Sequence, residues 1–430
     1  MNLPEEFLKR MEKKLGSEFP AFLLSYNRPP ERGIRVNTLK VADAEILAPF
    51  LGESVPWSEH GYYLKDGNAG GHPFHAAGLY YLQEPSAMCA APLLSAERGE
   101  RVLDLCAAPG GKSTALAADM AGEGLLVANE YDPSRARTLL SNVERMGIKN
   151  CVVTNAEPSV LAAAFPAYFD KVLVDAPCSG EGMFKKEDAA IENWSEQNVR
   201  GCAVRQAQIL ESAAKMLRVG GKMVYSTCTF SEEENELQIE DFLRHHKEFS
   251  LIREEKLSPH RVRGEGHFAA LLQKTAGERG NAAAFRARCD SSALRAWHAF
   301  EKCFFIAGES GLSGTPHLLA DGRLCMIPEG MPDMRGVRIL RAGTELGEWD
   351  GRVFKPAHAL AMCVKGATVR HTELSDDACE RYLRGETLFY EAENGWLAAC
   401  YRGYPLGLCK CVNGTLKNHL PKGLRKMSKR

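Results

Sequence analysis

The chain has few of the marks of a membrane or secreted protein. No apolar run approaches the roughly 20 residues needed to cross a bilayer, and Met1–Arg10 is charged with no signal-peptide core. These absences lead us to expect a cytoplasmic protein with no membrane partner. Charge of one sign is also missing. The net value is −1, so contact with nucleic acid has to be read from local clusters. There is no internal repeat and no low-complexity tract. Cysteine, in contrast, is plentiful. The 14 cysteines run from Cys89 to Cys411 in a large chain without a secretory signal, a setting for reduced thiols rather than disulfides. At 430 residues, 45% of them hydrophobic, two to four soluble domains are expected.

The chain is organised around residues 101–112. Val102 to Cys106 reads as a short buried parallel strand and is followed by Ala107, Ala108, Pro109, Gly110 and Gly111. A helix pattern starts at Lys112. Strand, glycine turn and helix in that order form the cofactor corner of an open α/β sheet. Gly111-Lys-Ser113 fits the end of a phosphate-binding loop, but the first glycine of that pattern falls on Cys106. The other ligand such a corner takes is a nucleoside, S-adenosylmethionine for instance, with its ribose held by an acid at the end of the next strand. Glu130 ends that strand, residues 125–130, and its alternative role is to cap the following helix.

The regular part reads as strands 101–106, 125–130, 151–155, 171–175 and 222–228, with helices near 112–121, 132–147, 158–165, 198–218 and 232–246. That alternation predicts a parallel, doubly wound sheet, with 267–273 as a closing edge strand. Before it, residues 2–26 read as packing helices and Gly33–Leu39 as a strand. A small α+β domain is expected to end near 76, and residues 77–95 read as a helix-forming lead-in. Arg28, Arg32, Arg35 and Lys40 oppose only Glu31, either as a solvated loop or as a phosphate contact. Residues 275–288 read as a linker. From about 290 short strands and turns dominate, and Lys417–Arg430 holds six Lys or Arg and no acid, which favours a folded RNA-facing edge.

Two strand ends carry chemistry. Asp175 and Cys178 follow Val172-Leu-Val, and Cys228, 50 residues beyond Cys178, ends Met223-Val-Tyr-Ser-Thr. Adjacent parallel strands finish on one side, so both thiols would face one crevice with Asp175. Methylation at carbon 5 of a pyrimidine needs that set. A thiolate adds to carbon 6, a carboxyl group near N3 and the exocyclic amine helps the ring take up the electrons, and a second polar group assists product release. A buried, inert cysteine is the plain alternative. A zinc site is another, though no C-x-x-C pair or His spacing accompanies Cys106, Cys178 and Cys228, so no metal is expected. Lys185 and Lys186 either hold phosphates or are solvated.

Cys106-Ala-Ala-Pro-Gly-Gly-Lys112, Asp175-Ala-Pro-Cys-Ser-Gly-Glu-Gly182 and Tyr225-Ser-Thr-Cys-Thr-Phe230 resemble the signature motifs of the Nol1/Nop2/Sun family of RNA 5-methylcytosine methyltransferases. Arg35-Val-Asn-Thr-Leu-Lys40, Tyr81-Leu-Gln-Glu-Pro-Ser-Ala-Met88 and Leu416–Leu424 are similar to its bacterial RsmF-type branch. The resemblance implies an α/β fold with a Rossmann-like methyltransferase core (77–275), a ferredoxin-like N-terminal module (1–76), an intermediate domain (290–365) and a PUA-like RNA-binding domain (366–430). It implies S-adenosylmethionine along Cys106–Lys112, with Glu130 at the ribose, Asp175 near the methionine end and Arg135 close by. It also implies Cys228 as nucleophile and Cys178 as the residue that aids release. The implied partner is RNA, either small-subunit rRNA or a ribosomal particle, with tRNA as the alternative. A nucleotide hydrolase using Lys112 and a non-catalytic RNA-binding factor are the competing readings. Where the family carries Asn-x-Asp for the adenine contact, this chain has Asn155-Ala-Glu157.

Overall fold

The computed structural model describes residues 3–65, 67–277, 280, 283–390 and 392–426. Asp66, part of the 275–288 linker and the last four residues of the basic terminus lie outside these. Eight strands form the central sheet: β1 (Arg101–Asp104), β2 (Leu125–Asn129), β3 (Cys151–Thr154), β4 (Phe169–Asp175), β5 (Leu217–Thr227), β6 (Phe249–Leu257), β7 (His267–Lys274) and β8 (Ile339–Ala342). Their order is β6-β7-β5-β4-β1-β2-β3-β8. The pairings from β5 through β4, β1 and β2 to β3 are parallel. Strands β7, β6 and β8 join antiparallel. Every residue of β2 and β3 is buried, as expected of strands covered on both faces.

Helices α1 (Gly111–Asp119), α2 (Pro133–Arg145), α3 (Pro158–Ala164), α4 (Glu196–Met216) and α5 (Glu236–His245) alternate with the strands. The helix expected from 232 starts four residues later, because residues 232–235 turn and draw Glu234 into the interior. The expected closing strand, 267–273, lies inside the sheet. The edge beyond it is β6, whose charged, largely exposed Arg253-Glu-Glu-Lys256 run suits a strand with one open side.

Residues 51–54, 61–64, 33–36 and 80–83 form, in that order, a separate antiparallel sheet, with helical turns at 44–47 and 73–76. This is a split β-α-β arrangement. Tyr80–Gln83, expected within a helical lead-in, is its fourth strand, so this sheet continues past residue 76. The pairing of Tyr80–Gln83 with Gly33–Val36 overrides its local pattern. Ile34, Val36 and Leu47 of this unit share one core with Tyr382, Leu397 and Leu406 near the C-terminus. The C-terminal part holds two more small sheets and a 14-residue helix, Ser291–Phe304, where only short strands were expected.

The helices Glu5–Leu15 and Phe19–Ser25 pack onto the loops that follow β4 and β5. Phe7 meets Phe184 and Trp194 edge-on at 5.0 and 5.8 Å, and Phe22 meets Phe230 at 5.4 Å. Such pairs each contribute about 1 kcal/mol beyond the area they bury. The start of the chain therefore clamps the segments that carry the two cysteines.

Candidate active site

Cys178 and Cys228 follow β4 and β5, which run parallel with Asp175 opposite Ser226. Their sulfurs lie 3.3 Å apart, and both residues are half-buried. Neither is sealed in the interior, and they point to the same end of the sheet. Gly182 fixes the approach. Its amide donates to the Cys228 carbonyl at 2.8 Å. A Cβ there would stand 2.9 Å from that carbonyl and 3.0 Å from that of Gly266, so no side chain fits. Contact with the Cys228 thiol, and then burial, push the Cys178 thiol well above its ordinary pKa.

Beside them, Lys112 Nζ lies 2.8 Å from Asp175 Oδ2, and Ser226 Oγ donates to Oδ1 at 2.9 Å. Burial opposes the charge on Asp175 most strongly, but the Lys112 ammonium, His267 and the hydrogen bonds from Lys112 and Ser226 together outweigh it and hold the carboxyl below its usual range. The same pairing raises Lys112 despite burial. In a phosphate-binding loop that lysine would face phosphate; here it is buried against a carboxylate.

His267, on β7, is a residue that sequence reasoning missed. It is buried 3.9 Å from Asp175 Oδ1, and among the described residues neither ring nitrogen has a hydrogen-bond partner. Burial, with Lys112 beside it, pushes its pKa down to about 3. The unfolded chain takes up a proton below about pH 6.5 that the folded chain refuses until about 3, so this group removes stability as pH falls through that window, by up to about 1.4 kcal/mol per unit. His267→Phe is expected to match or exceed the parent's stability near about pH 8, because it leaves no buried nitrogen unpaired. Its margin should widen toward about pH 4. Denaturant titrations across that range check this, and a margin independent of pH would contradict it.

The turn Cys106–Lys112 is tied from outside by its carbonyls. Ala108 O accepts from Arg135 Nη2 and Pro109 O from Asn142 Nδ2, each at 2.8 Å. Gly111 O accepts from Arg35 Nη2 at 2.8 Å. At Gly111 a Cβ would press on Gln83 and Tyr81 at 3.2 Å. Cys106 is driven well up in pKa by burial first and Asp104 second, which leaves it an unreactive thiol. Glu130 sits just past β2, buried. Its Oε1 accepts from the Asp132 amide at 2.9 Å, and Oε2 lies 3.7 Å from Arg135. A carboxylate has room for about four hydrogen bonds, so capacity for a ligand hydroxyl remains. Glu157 is exposed and forms no ion pair among the described residues, while the neighbouring Asn155 bonds the Glu130 and Tyr131 carbonyls. Glycine turn, Glu130 and Asp175 thus lie at the carboxyl ends of β1, β2 and β4, where a nucleoside ligand fits an open α/β sheet.

Three basic side chains do not face solvent as their local sequence suggested. Arg35 is buried and also donates to Thr114 Oγ1 at 2.6 Å; burial draws its pKa down to about 10. Lys40 donates to the Ala77 and Arg145 carbonyls at 2.7 and 2.9 Å and is pushed down to about 7 by burial and Arg145. Lys185 is paired with buried Glu265 at 2.8 Å. These groups lock the N-terminal unit to the core; Arg28, Arg32 and Lys186 stay exposed. Glu234 and Gln206, which grip the loop around Cys178, were also missed. The Glu232-Glu-Glu-Asn235 run, beginning four residues after Cys228, was the available signal. Among the described residues no three His, Cys, Asp or Glu side chains are grouped as a metal site.

Two thiols in contact and a carboxylate beside a nucleoside cradle can together add sulfur to an electron-poor ring and later expel it. Family models match along almost the whole chain: the N-terminal domain of 16S rRNA methyltransferase RsmF at 3–85, 16S rRNA methyltransferase RsmB/F at 91–280, the RsmF rRNA methyltransferase first C-terminal domain at 306–364, and the methyltransferase RsmF PUA domain at 369–426. Ribosomal RNA small subunit methyltransferase F of Klebsiella pneumoniae (strain 342) is 34% identical, covering 98% of this chain and 96% of its own. Its namesake in Vibrio vulnificus (strain YJ016) is 33% identical, covering 98% and 97%. Among solved structures, a methyltransferase homolog protein from Pyrococcus horikoshii superposes with a TM-score of 0.57 at 28% identity, covering 63% of this chain and 95% of its own. NSun6 from the same organism, at 21% identity and a TM-score of 0.58 over 64% and 99%, shares the fold.

Proposed function

The chain belongs to the RsmB/F family of 16S rRNA methyltransferases, and from that premise we propose that it methylates carbon 5 of a cytidine in small-subunit ribosomal RNA through a covalent bond from Cys228 to carbon 6. It is an S-adenosylmethionine-dependent methyltransferase with a Rossmann-like core and a C-terminal PUA domain. The observation that carries the proposal is the pair of sulfurs 3.3 Å apart at neighbouring strand ends, beside Asp175.

S-adenosylmethionine, held along Cys106–Lys112 with Glu130 at its ribose, supplies an electrophilic methyl group on a positively charged sulfur. The chain's residues do the rest. Cys228 adds to carbon 6, and the ring's electrons move to make carbon 5 nucleophilic. Asp175, oriented by Lys112 and Ser226, accepts from the exocyclic amine as that charge builds, and N3 takes up a proton from water. After transfer the carbon-5 proton passes to water, its electron pair re-forms the carbon 5–carbon 6 double bond, and Cys228 leaves as thiolate with the Cys178 thiol, 3.3 Å away, donating to the departing sulfur. Arg135 acts by bracing Ala108 and Glu130, and Glu157 takes the adenine contact. The target base leaves its stack to reach the crevice. The RNA is bound as rRNA or a ribosomal particle, in the cytoplasm, by the PUA domain and the N-terminal unit.

Bisulfite sequencing of 16S rRNA from cells with and without the protein tests the substrate. One or more cytidines should lose their protection when the gene is removed. Unchanged rRNA with newly unprotected tRNA cytidines would move the same chemistry to tRNA.

A further inference from the structure

Glu234 is fully buried, and among the described residues it makes no ion pair; its carboxylate is held by hydrogen bonds alone. Oε2 accepts from the Ser179 amide and from Gln206 Nε2, both at 2.9 Å, and Oε1 accepts from Ser179 Oγ. Gln206 also donates to the Pro177 carbonyl at 3.0 Å. The residues on both sides of Cys178 are therefore gripped by one buried carboxylate and its amide neighbour. The grip extends to the other thiol. Ser179 Oγ lies 2.8 Å from Thr229 Oγ1, next to Cys228, and Tyr225 OH, three residues before Cys228, donates to the Glu234 carbonyl at 2.6 Å. A buried carboxylate without a cation is costly to keep. What it secures here is the spacing of the two loops that carry the sulfurs.

We propose that Glu234 is a positioning residue that holds the Cys178 thiol against Cys228 for the product-release half of the reaction. The inference rests on the roles of Cys228 and Cys178 given above. Without the grip, the residues flanking Cys178 are free to shift while Cys228, held from its own side by Asn235 through Thr227 Oγ1 and the Thr229 carbonyl, keeps its place. Addition to carbon 6 then proceeds and release does not. Displacement of a reacting group by about 1 Å costs on the order of 100-fold.

The test compares Glu234→Ala, Glu234→Gln and Cys178→Ala in turnover and in denaturant-resistant protein–RNA species, using transcribed 16S rRNA and S-adenosylmethionine. Glu234→Ala should lose turnover by about 100-fold and accumulate the covalent species as Cys178→Ala does. Glu234→Gln should largely restore release: its amide oxygen can accept from the Ser179 amide and Gln206, and its amide nitrogen can donate to Ser179 Oγ. Wild-type turnover in Glu234→Ala overturns the proposal. So does lost turnover without the covalent species while Cys178→Ala still accumulates it, or a Glu234→Gln enzyme as defective as the alanine variant. If Cys178→Ala itself accumulates nothing, the underlying assignment of the thiols has failed instead. Should Glu234→Ala not fold, Gln206→Leu, which releases only Pro177 and one arm of the carboxylate, carries the same comparison with the same outcomes.

Discussion

Replacing Cys228 by alanine is expected to abolish methyl transfer, by at least about 10⁴-fold, and to leave no covalent protein–RNA species. Cys178→Ala should instead accumulate that species on incubation with RNA and cofactor. The asymmetry follows from the roles proposed for the two thiols: Cys228 bonds carbon 6, and Cys178, 3.3 Å away, acts only once that bond has to break. Carbon 5 of cytosine has no nucleophilic character until carbon 6 is bonded, so without Cys228 the methyl group has no acceptor. Without Cys178 the adduct forms and stalls. Denaturing gels of both variants read the two results directly. A covalent species in Cys228→Ala and none in Cys178→Ala would exchange the roles.

The second large effect is expected at Asp175. Asp175→Asn should lower kcat by about 10²–10⁴-fold with little change in KM for RNA, because the group acts as charge builds on the ring rather than in docking. The variant should also be less stable. Lys112 is buried and has Asp175 as its ion-pair partner at 2.8 Å, and removing one member of such a pair costs about 3–5 kcal/mol. Asn keeps the acceptor oxygen, so the loss should fall toward the low end of that range. Single-turnover transfer of labelled methyl, alongside denaturant titration, separates the two contributions. An unchanged kcat would remove Asp175 from the reaction.

Much of this site could be read from short segments, and the reason is geometric. In a parallel sheet, an apolar run followed by a turn residue marks a strand's carboxyl end. Asp175, Cys178 and Cys228 all follow such runs, so their convergence required only that β4 and β5 be neighbours. The cofactor corner at Cys106–Lys112 was visible for the same reason. What stayed hidden depends on partners distant in sequence. Arg35 and Lys40 look like phosphate-binding residues until Gly111, Thr114 and the carbonyls of Ala77 and Arg145 close around them. Lys185 looks solvated until Glu265, 80 residues on, supplies its counter-charge. Tyr80–Gln83 carries a helical local pattern that pairing with Gly33–Val36 overrides. β8 joins the sheet from a segment 185 residues beyond β3, which no periodicity announces. His267 shows as one polar residue in an apolar strand, and only the fold brings it beside Asp175.

The most direct test of the central claim uses RNA in which cytidine is replaced by 5-fluorocytidine. Fluorine at carbon 5 cannot leave as a proton does, so the enzyme is held at the stage after methyl transfer with its sulfur still bonded to carbon 6. Digestion and mass spectrometry of the trapped complex should place the nucleotide on the peptide containing Cys228. A nucleotide on Cys178, or no linkage with full cofactor binding, would contradict the account.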